Sequence, residues 1–201
     1  MERILILGGT GWLGREIALA GRDVGAEVVC LARGGRVLTP TTEGRFVQII
    51  DVADLARWVV QAGGTGCVGR VNAVGPSHTF SSVLEQAREV TGFDGEFVAV
   101  SDEELLAHNV AYWAGPRSLP LWFPAPYRGF AQRDGSSFLA NGGEARPLPV
   151  TLSRVLDDEQ SRGISRNRKS GLTEVEEREV LAAVGLQFPV RTGRSGGPLP
   201  N

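Results

Sequence analysis

Three glycines mark the stretch of this 201-residue chain whose residue types and spacing could do chemistry. Gly8, Gly11 and Gly14 follow four consecutive aliphatic residues, Ile4-Leu5-Ile6-Leu7, and are followed by a helical pattern with Leu13, Ile17 and Ala20 on one side. An unbroken aliphatic run reads as a strand buried on both faces, as in a parallel sheet. Strand, tight glycine turn and helix together make a cradle for a dinucleotide pyrophosphate. Gly8 lets the chain turn, Gly11 lets backbone approach the phosphates, and Gly14 lets the helix sit close to the strand. The free N–H groups and positive dipole end of that helix then face the negative charge. On this reading Gly8, Thr10, Gly11, Trp12, Leu13 and Gly14 contact the cofactor. The competing reading is a purely structural turn, because the chain holds 27 glycines.

A second short aliphatic strand is expected at residues 26–31, completing a βαβ start after a helix over residues 12–22. In dinucleotide folds the tip of the second strand selects the cofactor: an acid holds the ribose 2′-hydroxyl, an arginine accommodates a 2′-phosphate. The tip here reads Leu31-Ala32-Arg33, with no acid. Arg33 is therefore a candidate cofactor contact that favours NADP over NAD, against the alternative of a solvated loop arginine.

The glycine spacing, G-x-x-G-x-x-G, resembles the motif of the extended short-chain dehydrogenase/reductases, the NAD(P)-dependent epimerase/dehydratase family, with Trp12 where that family usually has Phe. The block Val47-x-x-Ile50-x-Val52-x-Asp54-Leu55-Ala56 is similar to one that follows the family's catalytic residues, and residues 69–76 resemble its last sheet strand. The resemblance implies a Rossmann domain, a smaller C-terminal substrate region, and a Tyr-x-x-x-Lys pair whose phenol acts as acid or base while the lysine lowers its pKa. That pair is absent. The tyrosines are Tyr112 and Tyr127, followed four places on by Pro116 and Ala131; the single lysine, Lys169, follows Ser165. No catalytic residue is assigned. The two matching stretches flank what would be the family's catalytic middle, as though that middle had been deleted near residues 32–36.

The elements that must position these residues follow from pattern. Residues 34–45 read as a polar connector. A short strand from Phe46 leads into a helix whose Val52, Leu55, Ala56, Val59 and Val60 form an apolar stripe expected to be buried, with Asp51 as N-cap and Asp54 adding first-turn charge; both acids read as structural. A strand is expected at residues 69–76. A helix capped by Ser82 and Glu85 and stopped by Gly92 comes next, then a strand at residues 96–100 and a helix opened by Ser101 with acids in its first turn. Residues 112–130 concentrate Tyr112, Trp113, Trp122, Phe123, Tyr127 and Phe130 among prolines, and the resemblance makes Pro120-Leu121-Trp122-Phe123-Pro124 the substrate-side remnant; plain packing is the alternative. Two more helices are expected, at residues 150–162 and 173–184, the second with a Thr173/Glu176 capping box and a stop at Gly185. Beyond Pro189 the composition is that of a disordered tail.

The fold class expected is α/β, a truncated Rossmann-like parallel sheet with a helical C-terminal region, divided as a partial dinucleotide-binding domain (1–76), a mostly helical substrate-type region (77–188) and the tail (189–201). A net charge of −2 gives no electrostatic case for nucleic acid or an anionic membrane, and no apolar run approaches a membrane span. Cys30 and Cys67 read as free thiols, His78 and His108 as surface or capping residues, and no metal site is expected. The function expected is an NAD(P)-binding epimerase/dehydratase-type protein, related to oxidoreductases acting on sugar nucleotides or small carbonyl substrates and catalytically impaired. The alternatives are a non-enzymatic dinucleotide-binding regulatory module or a functionless remnant. A cytoplasmic location, a small-molecule substrate and self-association through an exposed sheet edge complete the expectations.

Overall fold

The computed structural model describes residues 3–7, 27–31, 35–163 and 166–187. The seven residues expected to contact the cofactor, Gly8, Thr10, Gly11, Trp12, Leu13, Gly14 and Arg33, lie outside them, as do the helix expected over residues 12–22 and the tail from 189.

The two aliphatic runs form strands β1 (Arg3–Leu7) and β2 (Glu27–Leu31), paired in parallel with Arg3 opposite Glu27 and Leu7 opposite Leu31. A second parallel pair joins β3 (Arg36–Pro40) to β6 (Glu96–Val100), with Arg36 opposite Glu96. β4 (Phe46–Gln48) runs antiparallel to β5 (Ser77–Thr79), and β7 (Ala111–Tyr112) pairs with β8 (Ser118–Leu119). The architecture is mixed α/β, and among the described residues every sheet has two strands. The β3–β6 and β4–β5 pairings each join residues on either side of position 76.

Among the described residues six helices accompany these strands: α1 (Val52–Gly64), α2 (Phe80–Thr91), α3 (Asp102–Ala107), α4 (Ser136–Ala140), α5 (Leu148–Arg162) and α6 (Glu174–Gln187), with a 3-10 helix at Ala125–Ala131. Their starts follow local chemistry. Ser101 and Glu104 form a reciprocal capping box at α3, and Thr173 and Glu176 do the same at α6, where each residue's side chain meets the other's backbone N–H. Asp51 caps α1 by accepting from the Ala53 N–H. Gly92 ends α2 in the left-handed conformation that glycine adopts without steric cost.

Two apolar clusters hold these elements. Leu38 and Val100 of the β3–β6 pair pack with Leu105 of α3, Val180, Leu181 and Val184 of α6, and the fully buried Trp122. Glu177 of α6 also accepts the Leu38 backbone N–H at 2.8 Å, which satisfies a donor of β3 that no strand serves. The second cluster joins Val47 of β4 to Phe80 and Val83 of α2 and Leu148 of α5.

Five expectations need correction. The connector over residues 34–45 contains β3, whose Leu38, Thr39 and Pro40 are buried despite the polar residues around them. The strand expected at residues 69–76 is irregular: Gly69 sits at φ +110°, outside the strand region, and the Gly75 carbonyl is taken by the Gln48 side chain instead of a ladder. Strand structure resumes only at β5. α2 begins earlier than expected, at Phe80, because the Thr79 hydroxyl accepts the Ser82 N–H and thereby acts as cap. α6 continues through Gly185 to Gln187. The largest difference is in α1. Its expected buried stripe faces outward, with Val52 75 %, Val59 54 % and Val60 78 % exposed, while Asp54 and Ala62 are buried.

Candidate functional site

Arg45, five residues beyond the end of β3, organises the aromatic segment. Its guanidinium donates to the Thr41 carbonyl and to the Phe123 carbonyl, both at 2.7 Å, and pairs with the Asp102 carboxylate. Asp102 in turn accepts the Trp122 indole N–H at 3.0 Å. Trp122 therefore buries its rings without stranding its donor, and Tyr112 packs on it with ring centroids 4.0 Å apart. This charge-assisted knot fixes the backbone on either side of Leu121-Trp122-Phe123.

With Trp122 turned inward, its neighbours turn the other way. Phe123, Trp113 and Phe130 form a mutual triangle, with centroids 4.5 Å apart for Trp113–Phe123 and Phe123–Phe130 and 5.8 Å, edge-on, for Trp113–Phe130. The rings wall a cavity of about 170 Å³ whose other sides come from Val47 and Gln48 of β4, Val74, Leu121 and Arg133. A smaller hollow next to it shares Phe46, Leu121 and Phe123 and is lined further by Pro124 and Tyr127. Trp113 and Leu121 both stand in the left-handed backbone region, at φ 65° and 63°. A bulky side chain there costs roughly 1–3 kcal/mol, a strain that collects at ligand clamps and active sites.

Three further hydrogen bonds set the cavity's far wall. Gln48 donates to the Gly75 carbonyl at 3.0 Å and the Arg133 carbonyl at 2.9 Å, and accepts the Arg133 N–H at 3.0 Å. One amide thus ties β4 to two otherwise irregular segments. Gly75 must be glycine, since a β-carbon there would lie 1.8 Å from the Ile49 carbonyl oxygen. The polar residues of this wall, Gln48 and Arg133, carried no sequence signal: neither belongs to a motif, and they lie 85 positions apart.

The tyrosines offer no acid–base replacement. Tyr112 is held above the usual phenol range by burial and by the neighbouring Asp102 carboxylate, the opposite of what a catalytic base requires. Tyr127 is 61 % exposed at the rim, and Lys169 is exposed on a separate loop. Cys67 is a free, half-buried thiol near the Asn141 side chain, and His108 ends α3, its carbonyl accepting from Arg117. Among the described residues no group of three His, Cys, Asp or Glu side chains is placed to hold a metal ion.

Asp51 and Asp54 are structural, as their cap positions suggested. Arg146 grips Asp54 through two guanidinium hydrogen bonds, 2.6 and 2.8 Å, and its own backbone N–H, 3.0 Å, while reaching Asp51 at 3.3 Å; Arg154 reaches Asp51 at 3.0 Å. The pair turns its helix face toward the C-terminal region, which is why the valine stripe faces out.

Comparison with protein-family models finds no match for this chain, and neither the curated proteins nor the solved structures yield one.

Proposed function

We propose that the chain is a dinucleotide-binding protein of the epimerase/dehydratase type that binds NADP or NAD and a small ligand without turning them over. The observation that carries this reading is the parallel pairing of β1 with β2 in the register Leu7 opposite Leu31. Parallel neighbours need a long crossover, usually helical. The 19 residues between these strands, 8–26, begin with the glycine sequence at the C-terminal end of β1. Arg33 follows β2 by two residues in sequence, so the glycine segment and Arg33 each come after the C-terminal end of one of two parallel strands, where a Rossmann-like half-site carries its phosphate-binding and ribose-selecting positions. The aromatic cavity supports the ligand-binding part, since sites of this kind are concave and largely apolar with few polar groups. The want of a Tyr–Lys pair, and the raised phenol of Tyr112, argue against hydride transfer.

The test is thermal stabilisation. NADPH should raise the melting temperature of the wild-type chain, by linkage, and Gly11→Val should abolish the rise by blocking the pyrophosphate's approach. Arg33→Asp should move the preference from NADPH toward NADH. Equal shifts for wild type and Gly11→Val remove the dinucleotide assignment.

A further inference from the structure

Arg133 is unusual among the arginines of this chain. Thirteen arginines from Arg36 to Arg178 have described side chains, and eleven of them pair with a carboxylate. Arg70 and Arg133 are the two that do not, and Arg133 is the one that lines the aromatic cavity. Its backbone is held on both sides by Gln48, so the base of the side chain is fixed while its guanidinium keeps five donors without an acidic acceptor among the described residues.

We propose that this cavity binds a single-ring aromatic carboxylate, with the ring between Trp113, Phe123 and Phe130 and the carboxylate on the Arg133 guanidinium. The volume sets the ring count. An apolar protein cavity of about 150 Å³ takes one benzene ring, and this one, about 170 Å³ and open on one side, matches one ring in volume. The wall sets the ring chemistry, because three aromatic side chains offer both faces and edges to a fourth ring. The rim sets the charge. A guanidinium matches a carboxylate with two parallel N–H donors, a geometry that neither a neutral amide nor a small cation exploits. The left-handed conformations of Trp113 and Leu121, both in the wall, fit a surface shaped for an occupant. The inference deepens the ligand-binding part of the proposed function and rests on it, but it does not need the dinucleotide.

Titration of the full chain with sodium benzoate, benzamide and toluene by calorimetry or ligand-observed NMR, without dinucleotide, tests it. Benzoate should bind saturably and be preferred over benzamide by about tenfold or more, the worth of a hydrogen-bonded charge, and added salt should erode the preference. Arg133→Gln, at an exposed position, should bring benzoate and benzamide to near-equal, weak binding, whereas Arg133→Lys should retain part of the preference. Phe130→Ala should weaken benzoate and toluene alike. Equal binding of benzoate and benzamide to the wild type, an undiminished preference in Arg133→Gln, or no saturable benzoate binding overturns the proposal. Because no dinucleotide is present, a negative result leaves the Gly11→Val test standing, and failure of that test leaves this titration readable.

Discussion

Asp54 is 3 % exposed and accepts three hydrogen bonds from Arg146 and a fourth, at 2.5 Å, from Arg57. The Arg146 side chain is the main reason its carboxyl is held well below the usual carboxylate range, against the opposing effect of burial. The folded chain therefore binds fewer protons at this site than the unfolded chain. The stabilisation is complete above the unfolded carboxylate value, about 3.9, and is lost as pH falls through the folded value. Asp54→Asn should lower the neutral-pH melting temperature by roughly 5–10 °C, and the gap from wild type should close as pH falls below about 4. A gap that stays constant to the lowest pH would assign the loss to something other than the charge. At this scale the sequence was readable where the partner is close in the chain, as with the Asp51 cap, and opaque where it is remote: Arg146 lies 92 positions from Asp54. Arg133 was hidden for the same reason, since its place in the cavity depends on Gln48, 85 positions away.

Helix α1 shows what periodicity can and cannot say about an element. The valine spacing identified a helix with an apolar stripe, and the helix is there, but the buried face belongs to Asp54 and Ala62. Periodicity reports that a face exists; it does not report what lies against it, and two carboxylates with arginine partners outcompeted the valines. Phe138 of α4, fully buried, meets the Trp58 ring edge-on at 5.3 Å, so the packed side of α1 is aromatic and polar together. Val60→Ser should change stability by no more than about 0.5 kcal/mol, whereas Phe138→Ala should cost about 3–5 kcal/mol, both measured by urea denaturation. A large loss for Val60→Ser would mean that the outward stripe is covered in solution. Element ends were read best where capping is reciprocal and local, at Ser101/Glu104 and Thr173/Glu176. They were read worst where a tertiary hydrogen bond decides, as at Gly75.

At the scale of the whole molecule, the β1–β2 and β3–β6 pairs are parallel and helices pack on the second, which gives α/β character without a continuous sheet among the described residues. Among these residues, no helix is long and apolar enough to cross a membrane. Sequence patterning found β1, β2 and β6 but missed β3, whose pairing with β6 spans sixty positions and has no local signature, and the two-residue parallel partners β7 and β8. The central claim is that the chain binds a nicotinamide dinucleotide without transferring its hydride. Nicotinamide fluorescence and absorbance, followed together while NADPH is titrated into the full chain and then incubated with small carbonyl substrates, test both halves of that claim at once. The expected result is a saturable fluorescence change that Gly11→Val abolishes, with absorbance constant over the incubation. Fluorescence that never saturates, or absorbance that decays and is arrested by Tyr112→Phe, would contradict it.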